Sequence, residues 1–187
     1  MKMTFCGWRI STGGERKYGT VLLAFPAHST HTITVQYDET ELLEKIREQA
    51  PHFDTVFVCL YWKDFLLGRA SSYEEAGFVC VSAGHIFDHN FVPRLRTLFE
   101  LSDCTLSNRI GSYTGYSIFL GKPHLLIGQE TFFSQTCTYD LQKELMDWYS
   151  DPGYVKAVKL FSENSTNVTQ EHIDVLDPYI PTSGLVK

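Results

Sequence analysis

Three stretches of this chain place residues capable of chemistry close together. Pro26-Ala27-His28-Ser29-Thr30-His31 sets two histidines around two hydroxyls. Ala83-Gly84-His85 opens a second stretch, with Asp88, His89 and Asn90 just behind. The third runs Ser107-Asn108-Arg109-Ile110-Gly111-Ser112-Tyr113-Thr114-Gly115-Tyr116. Imidazoles exchange protons near neutral pH. Hydroxyls and free amides at a glycine-rich turn are the donors that hold phosphate. The chemistry these residues suit is binding of a phosphorylated ligand and electrostatic stabilisation of a departing phosphate. His28 and His31 alone make a poor metal site, because no third ligand stands near them in sequence and no CxxC or His/Cys spacing occurs.

Positioning such groups requires a frame, and the apolar runs supply one. Thr20–Phe25, Thr55–Leu60, Phe78–Ser82 and His124–Ile127 are short and continuously apolar, as strands covered on both faces are. Cys104–Ser107 is a shorter fifth. Between them lie helical patterns. Asp38–Gln49 carries an Asp38/Glu41 capping box and a stripe of Leu42, Leu43, Ile46 and Ala50. Ser72–Gly77 opens on a Ser72/Glu75 box and stops at glycine. Asn90–Leu101 lines up Phe91, Val92, Leu95, Leu98 and Phe99, and Tyr113–Leu120 is short. The tail is expected as helices over Tyr139–Tyr149, Tyr154–Phe161 and Gln170–Leu176, the last behind Thr169 as N-cap. Strands alternating with helices predict an α/β three-layer sandwich with a mostly parallel sheet and a helical C-terminal tail. Residues 1–19 are expected as a linker or edge segment, and 20–187 as a single domain.

In an open parallel sheet, ligands bind beyond the carboxyl ends of the strands. All three chemical stretches fall there. His28, Ser29 and Thr30 can contact phosphate or form a polar turn bonded to its own backbone. Tyr61-Trp62-Lys63-Asp64 can wall a pocket or anchor the next helix. His85 is expected to touch the ligand, with Asp88 or Asn90 capping the helix that follows. At Ser107–Gly115 a strand ends and a short helix begins, so free amides and the positive end of a helix dipole face outward.

Composition narrows the rest. The 187 residues suffice for one domain with a proper core. They are 43% hydrophobic and 20% charged, with a net charge of -6, which argues against a duplex nucleic-acid binder. No apolar run reaches membrane-spanning length and the start lacks a signal-peptide core, so a cytoplasmic protein is expected. Cys59 and Cys80 fall inside apolar runs, where cysteine acts as a small hydrophobe.

The order of pieces in AGHIFDHNFVPRLRTLFELSDCTLSNRIGSYTGYSIFLGKPHLLI resembles the carboxyl-terminal, Rossmann-like donor-binding domain of GT-B glycosyltransferases, most closely bacterial capsule and polysaccharide enzymes. The resemblance implies a nucleotide-sugar donor whose phosphates meet Asn108, Gly111, Ser112, Tyr113, Thr114 and Gly115. Ser29 and Thr30 assist, and His28 and His85 are the catalytic candidates. It implies neither metal nor cofactor. It also implies a polysaccharide acceptor and a second half, supplied by a missing amino-terminal domain, a partner chain or a homodimer. A non-catalytic nucleotide-binding or scaffold module, or an epimerase- or hydrolase-like enzyme, are the alternatives on this fold.

Overall fold

The computed structural model describes residues 17–135, 149–163 and 165–179. The expected linker lies outside the described residues except at its last three positions, as does the expected helix Tyr139–Tyr149 except for Tyr149. Elements run in the order β1 (Val21–Phe25), β2 (Ile33–Gln36), α1 (Glu39–Gln49), β3 (Thr55–Cys59), α2 (Trp62–Leu66), α3 (Ala70–Glu75), β4 (Val79–Val81), α4 (Phe91–Leu101), β5 (Cys104–Ser107), α5 (Ser112–Phe119), β6 (His124–Leu126), β7 (Phe132–Gln135), α6 (Pro152–Ser162) and α7 (Gln170–Leu176).

Five strands form one parallel sheet in the order β4-β3-β1-β5-β6. Leu23 of β1 sits between Phe57 of β3 and Thr105 of β5. All of β1 is buried because both of its faces are covered. Its alternating side chains feed two cores. Leu22 and Ala24 pack with Leu42 and Ile46 of α1 and with Ala70 and Tyr73 of α3. Val21, Leu23 and Phe25 pack with Phe99 of α4 and with Tyr113 of α5. The result is a Rossmann-like three-layer sandwich. A third cluster joins α6 and α7 to Leu126 and to Ile118 of α5, so the tail supports the β5–β6 side.

The capping boxes form in part. Asp38 accepts from the Glu41 amide at 2.9 Å, but the Glu41 carboxylate reaches Gln129 instead of turning back. The Ser72/Glu75 box does not form: α3 begins at Ala70, and Ser72 Oγ donates to the Arg69 carbonyl. Gly77, with φ +85°, follows α3 in the left-handed conformation a helix stop requires. Along α4, Leu95, Leu98 and Phe99 face the sheet, whereas Val92 is 69% exposed because the helix meets the sheet over its last two turns. Three elements go beyond the expected pattern. Helix α2 occupies the stretch after β3, and β2 pairs antiparallel with β7, Ile33 opposite Gln135, as a separate ribbon.

Candidate functional site

The chain runs outward from β1 through β3 to β4, then α4 carries it back to β5 on the other side of β1. The strand order therefore reverses between β1 and β5, and the loops leaving them diverge to opposite faces. Such a reversal leaves a crevice at the carboxyl edge. Here a groove of about 370 Å³ opens along the ends of β1, β3 and β4. His28, Thr30 and His31 line it, with Tyr61 on one wall and Ser112, Tyr113 and Tyr116 on the other.

The His28 loop is held by buried polar contacts. Ala27 N–H donates to Asn108 Oδ1 at 2.7 Å, tying the β1 loop to the β5 loop across the reversal. The Ser29 amide donates to the buried Asp64 carboxylate at 3.2 Å, and Ser29 Oγ accepts from the Val35 amide. Lys63 Nζ donates to the carbonyls of Thr30 and Ile33, at 2.7 and 3.2 Å. The Tyr61-Trp62-Lys63-Asp64 stretch thus both anchors and walls: Lys63 and Asp64 clamp the loop while Tyr61 faces the groove.

At the groove the His28 ring lies 5.4 Å from Tyr61, centroid to centroid. Surrounding protein strips enough water from the ring to lower its pKa. Arg109 adds to the lowering, and Asp64 opposes both. His31 and His85 meet through their Nε2 atoms at 2.5 Å. His85 Nδ1 accepts from the Phe87 amide, so its Nε2 carries the proton and donates to His31. His85 reaches the groove through His31 and is not itself in the lining. Trp62 packs against both rings, at 5.5 and 5.3 Å.

Helix α5 brings its first turn to the opposite wall. Gly111 is its N-cap, with Thr114 N–H bonded to the Gly111 carbonyl. Ser112 and Tyr113 follow, where a helix offers no acceptor for the amides. Ser112 is exposed, and the Tyr113 ring stacks on Phe25 at 5.3 Å. Beneath them lies a buried polar network. Ser107 Oγ donates to the Arg109 carbonyl and lies 2.9 Å from His124 Nε2, while Thr105 Oγ1, 2.7 Å from His124 Nδ1, donates to Ser117 Oγ. Complete burial pushes the His124 pKa down to about 3. Thr114 Oγ1 stands 3.3 Å from the same ring.

Of the residues expected at the site, the fold brings His28, Thr30, Ser112 and Tyr113 together on the groove, with Gly111 at its edge and His85 one contact behind. Ser29, Asn108, Thr114 and Gly115 are buried in the scaffold that shapes it. Asp88 accepts from the Asn90 amide and from Arg94 within the turn, and Asn90 stands at the N-cap of α4 without a side-chain bond, so neither supplies the expected cap. His31 and His124 complete the constellation. His31 was visible as part of the histidine cluster, but nothing in the sequence marks His124 as the centre of a polar network.

Among the described residues no three His, Cys, Asp or Glu side chains gather where a metal ion could be held. No described helix is long and apolar enough to cross a membrane. The chain matches no family model, no curated protein and no solved structure.

Proposed function

We propose that the groove holds the nucleotide part of a nucleotide-sugar donor, and that the chain acts as the donor-binding domain of a cytoplasmic glycosyltransferase of polysaccharide synthesis. One observation carries the reading: the groove opens beside the reversal of strand order between β1 and β5, with the first turn of α5 on its wall. The α5 amides and dipole favour a diphosphate there. Ser112 adds a hydroxyl. Tyr61, Tyr113 and Tyr116 offer flat faces to a base or sugar ring.

Catalysis on this reading is electrostatic. The donor's anomeric carbon–oxygen bond breaks and the charge develops on the leaving phosphate, where donors already in place lower the barrier. His28, whose charged form burial disfavours in the empty groove, contributes an N–H to that charge and takes up a proton once the phosphate is in place. Asp64 and Asp88 both spend their carboxylates on the fold. That favours donor binding over deprotonation of an acceptor, which a second domain, a partner chain or another copy would supply.

A phosphate beside His28 would raise its lowered pKa, so binding takes up a proton and tightens as pH falls toward the ordinary histidine value. Calorimetry with a panel of nucleoside mono- and diphosphates, in buffers of different ionisation enthalpy, reads both affinity and proton uptake. At least one nucleotide should bind with proton uptake, and His28→Ala should abolish the uptake. Equal affinity in wild type and His28→Ala, with no uptake in either, would place the ligand elsewhere.

A further inference from the structure

A second cavity, of about 380 Å³, opens at the carboxyl ends of β5 and β6. Asn108, Arg109, Thr131, Tyr149 and Tyr154 line it, with Glu130 at its exposed edge. Arg109 lays its guanidinium over the Phe133 ring, 4.9 Å from the centroid, and hydrogen-bonds Tyr154. Among the described residues its buried Nε–H finds no acceptor, and no ion pair includes it. Arg69 also buries a guanidinium nitrogen without a hydrogen bond, but its charge is paired with Glu39 and Asp64, whereas that of Arg109 faces the cavity without a carboxylate partner among the described residues. A buried guanidinium N–H without an acceptor costs stability. Such an arrangement persists where the donor serves something that enters the cavity.

We propose that this cavity binds a small organic acid through its carboxylate, with Arg109 as the pairing cation. Guanidinium presents parallel N–H groups along one edge, and a carboxylate accepts two of them at once. Phe133 holds the plane of the fork in place. Charge selects the class of anion. Arg109 is the cation of the cavity, Glu130 stands at the rim, and Glu41 lies just beyond Gln129, whose amide it accepts. One positive charge near two carboxylates suits a monoanion better than a phosphate dianion. The Thr131 and Tyr149 hydroxyls, 3.1 Å apart, face the same space and suit a ligand that also carries hydroxyls. The site does not depend on the nucleotide reading of the groove.

The test follows the Arg109 Nε–H resonance by nitrogen-15 NMR while D-glucuronate, D-glucose or inorganic phosphate is added to the full chain. Glucuronate should shift it saturably, glucose should not, and phosphate should bind more weakly. Arg109→Met should weaken glucuronate binding by about tenfold or more, and Arg109→Lys should restore only part of it because the fork is lost. Tyr149→Phe, which keeps the ring and removes one donor, gives a smaller loss in a chain that still folds. Glucuronate affinity unchanged in Arg109→Met overturns the proposal, as does tighter binding of phosphate or no saturable shift with glucuronate. If Arg109→Met does not fold, the wild-type titration and Tyr149→Phe decide.

Discussion

Three histidines lose water in this fold, and the loss has different consequences at His28 and at His124. His28 borders the groove, where a ligand can restore its proton. His124 has no such route: its partners are Thr105, Ser107 and Thr114, and burial disfavours the charged ring. Its pKa is about 3 in the folded chain, against an ordinary value of 6.5. Between those values the unfolded chain binds the proton more readily, so stability falls as pH drops from about 6.5 toward about 3 and is independent of His124 above that window. His28 and His172, also lowered, act in the same direction. Asp54, Asp88 and Asp151 are held below 3.8 and lose their contribution only at more acid pH. His124→Gln should therefore lower stability at neutral pH by about 1–3 kcal/mol through disturbed buried hydrogen bonds. It should also flatten the decline between neutral and mildly acid pH, as urea denaturation at each pH will read. An unchanged slope would mean that the acid sensitivity resides elsewhere.

Gly111 is the second residue whose role follows from contact. Its φ of -156° is extended backbone open to any residue, so the constraint is steric. A Cβ there would lie 2.7 Å from Cζ of Tyr113. Gly111→Ala must push that ring off Phe25 and narrow the groove. The expected cost is about 1–3 kcal/mol, as for other overpacked sites, together with weaker nucleotide binding. Adding Tyr113→Ala should remove the clash, so the stability effects of the two changes should be non-additive in denaturation measurements. Additive effects would show that Tyr113 does not police Gly111.

At the scale of elements, the loop after β1 depends on α2. Asp64, 1% exposed, accepts from the Ser29 amide and pairs with Arg69 at 3.4 Å. Asp64→Ala strands both the amide and part of the guanidinium, and breaking a buried pair of this kind costs about 3–5 kcal/mol. Asp64→Asn keeps an acceptor for Ser29 and should cost less. Urea denaturation ranks the three chains, and equal loss in both variants would shift the weight from the Ser29 contact to the Arg69 charge.

The same elements show what could be read in advance. Strands β1 and β3 were legible because a strand buried on both faces leaves a continuous apolar run, as Val21–Phe25 and Thr55–Cys59 do, whereas β4, expected to be covered on both faces, is an edge strand with Val79 49% exposed. Helix α7 was legible to the residue from Thr169 and its apolar spacing. The β2–β7 ribbon was not: Ile33–Gln36 finds its partner about a hundred residues away, and four residues of mixed polarity carry no trace of that pairing. Helix α2 was hidden because Trp62-Lys63-Asp64-Phe65-Leu66 is too short for a helical period to emerge. Site residues divide similarly. The strand-end rule found His28, Thr30, Ser112 and Tyr113. It could not separate them from Ser29 or Thr114, whose hydroxyls turn inward to Val35 and His124, because direction of a side chain in a loop depends on distant partners.

For the whole molecule, the account rests on one asymmetry: the chemical groups sit at the carboxyl edge of the sheet, around the reversal between β1 and β5. His28, His31 and His85 cluster there. His52 lies in the turn just before β3, at the amino edge, and His172 lies in α7 on the tail. Ile86 and Phe87 after β4, and Tyr116 on α5, leave apolar surface exposed near the same edge. The five imidazoles therefore act as built-in reporters of where a nucleotide lands. The most direct measurement is an NMR titration of their ring resonances with nucleoside mono- and diphosphates. The account predicts saturable shifts at His28 and His31, a following shift at His85 through its Nε2 contact, and nearly still resonances at His52 and His172. Shifts confined to His52 or His172, or no shift at His28 with any nucleotide, would contradict it.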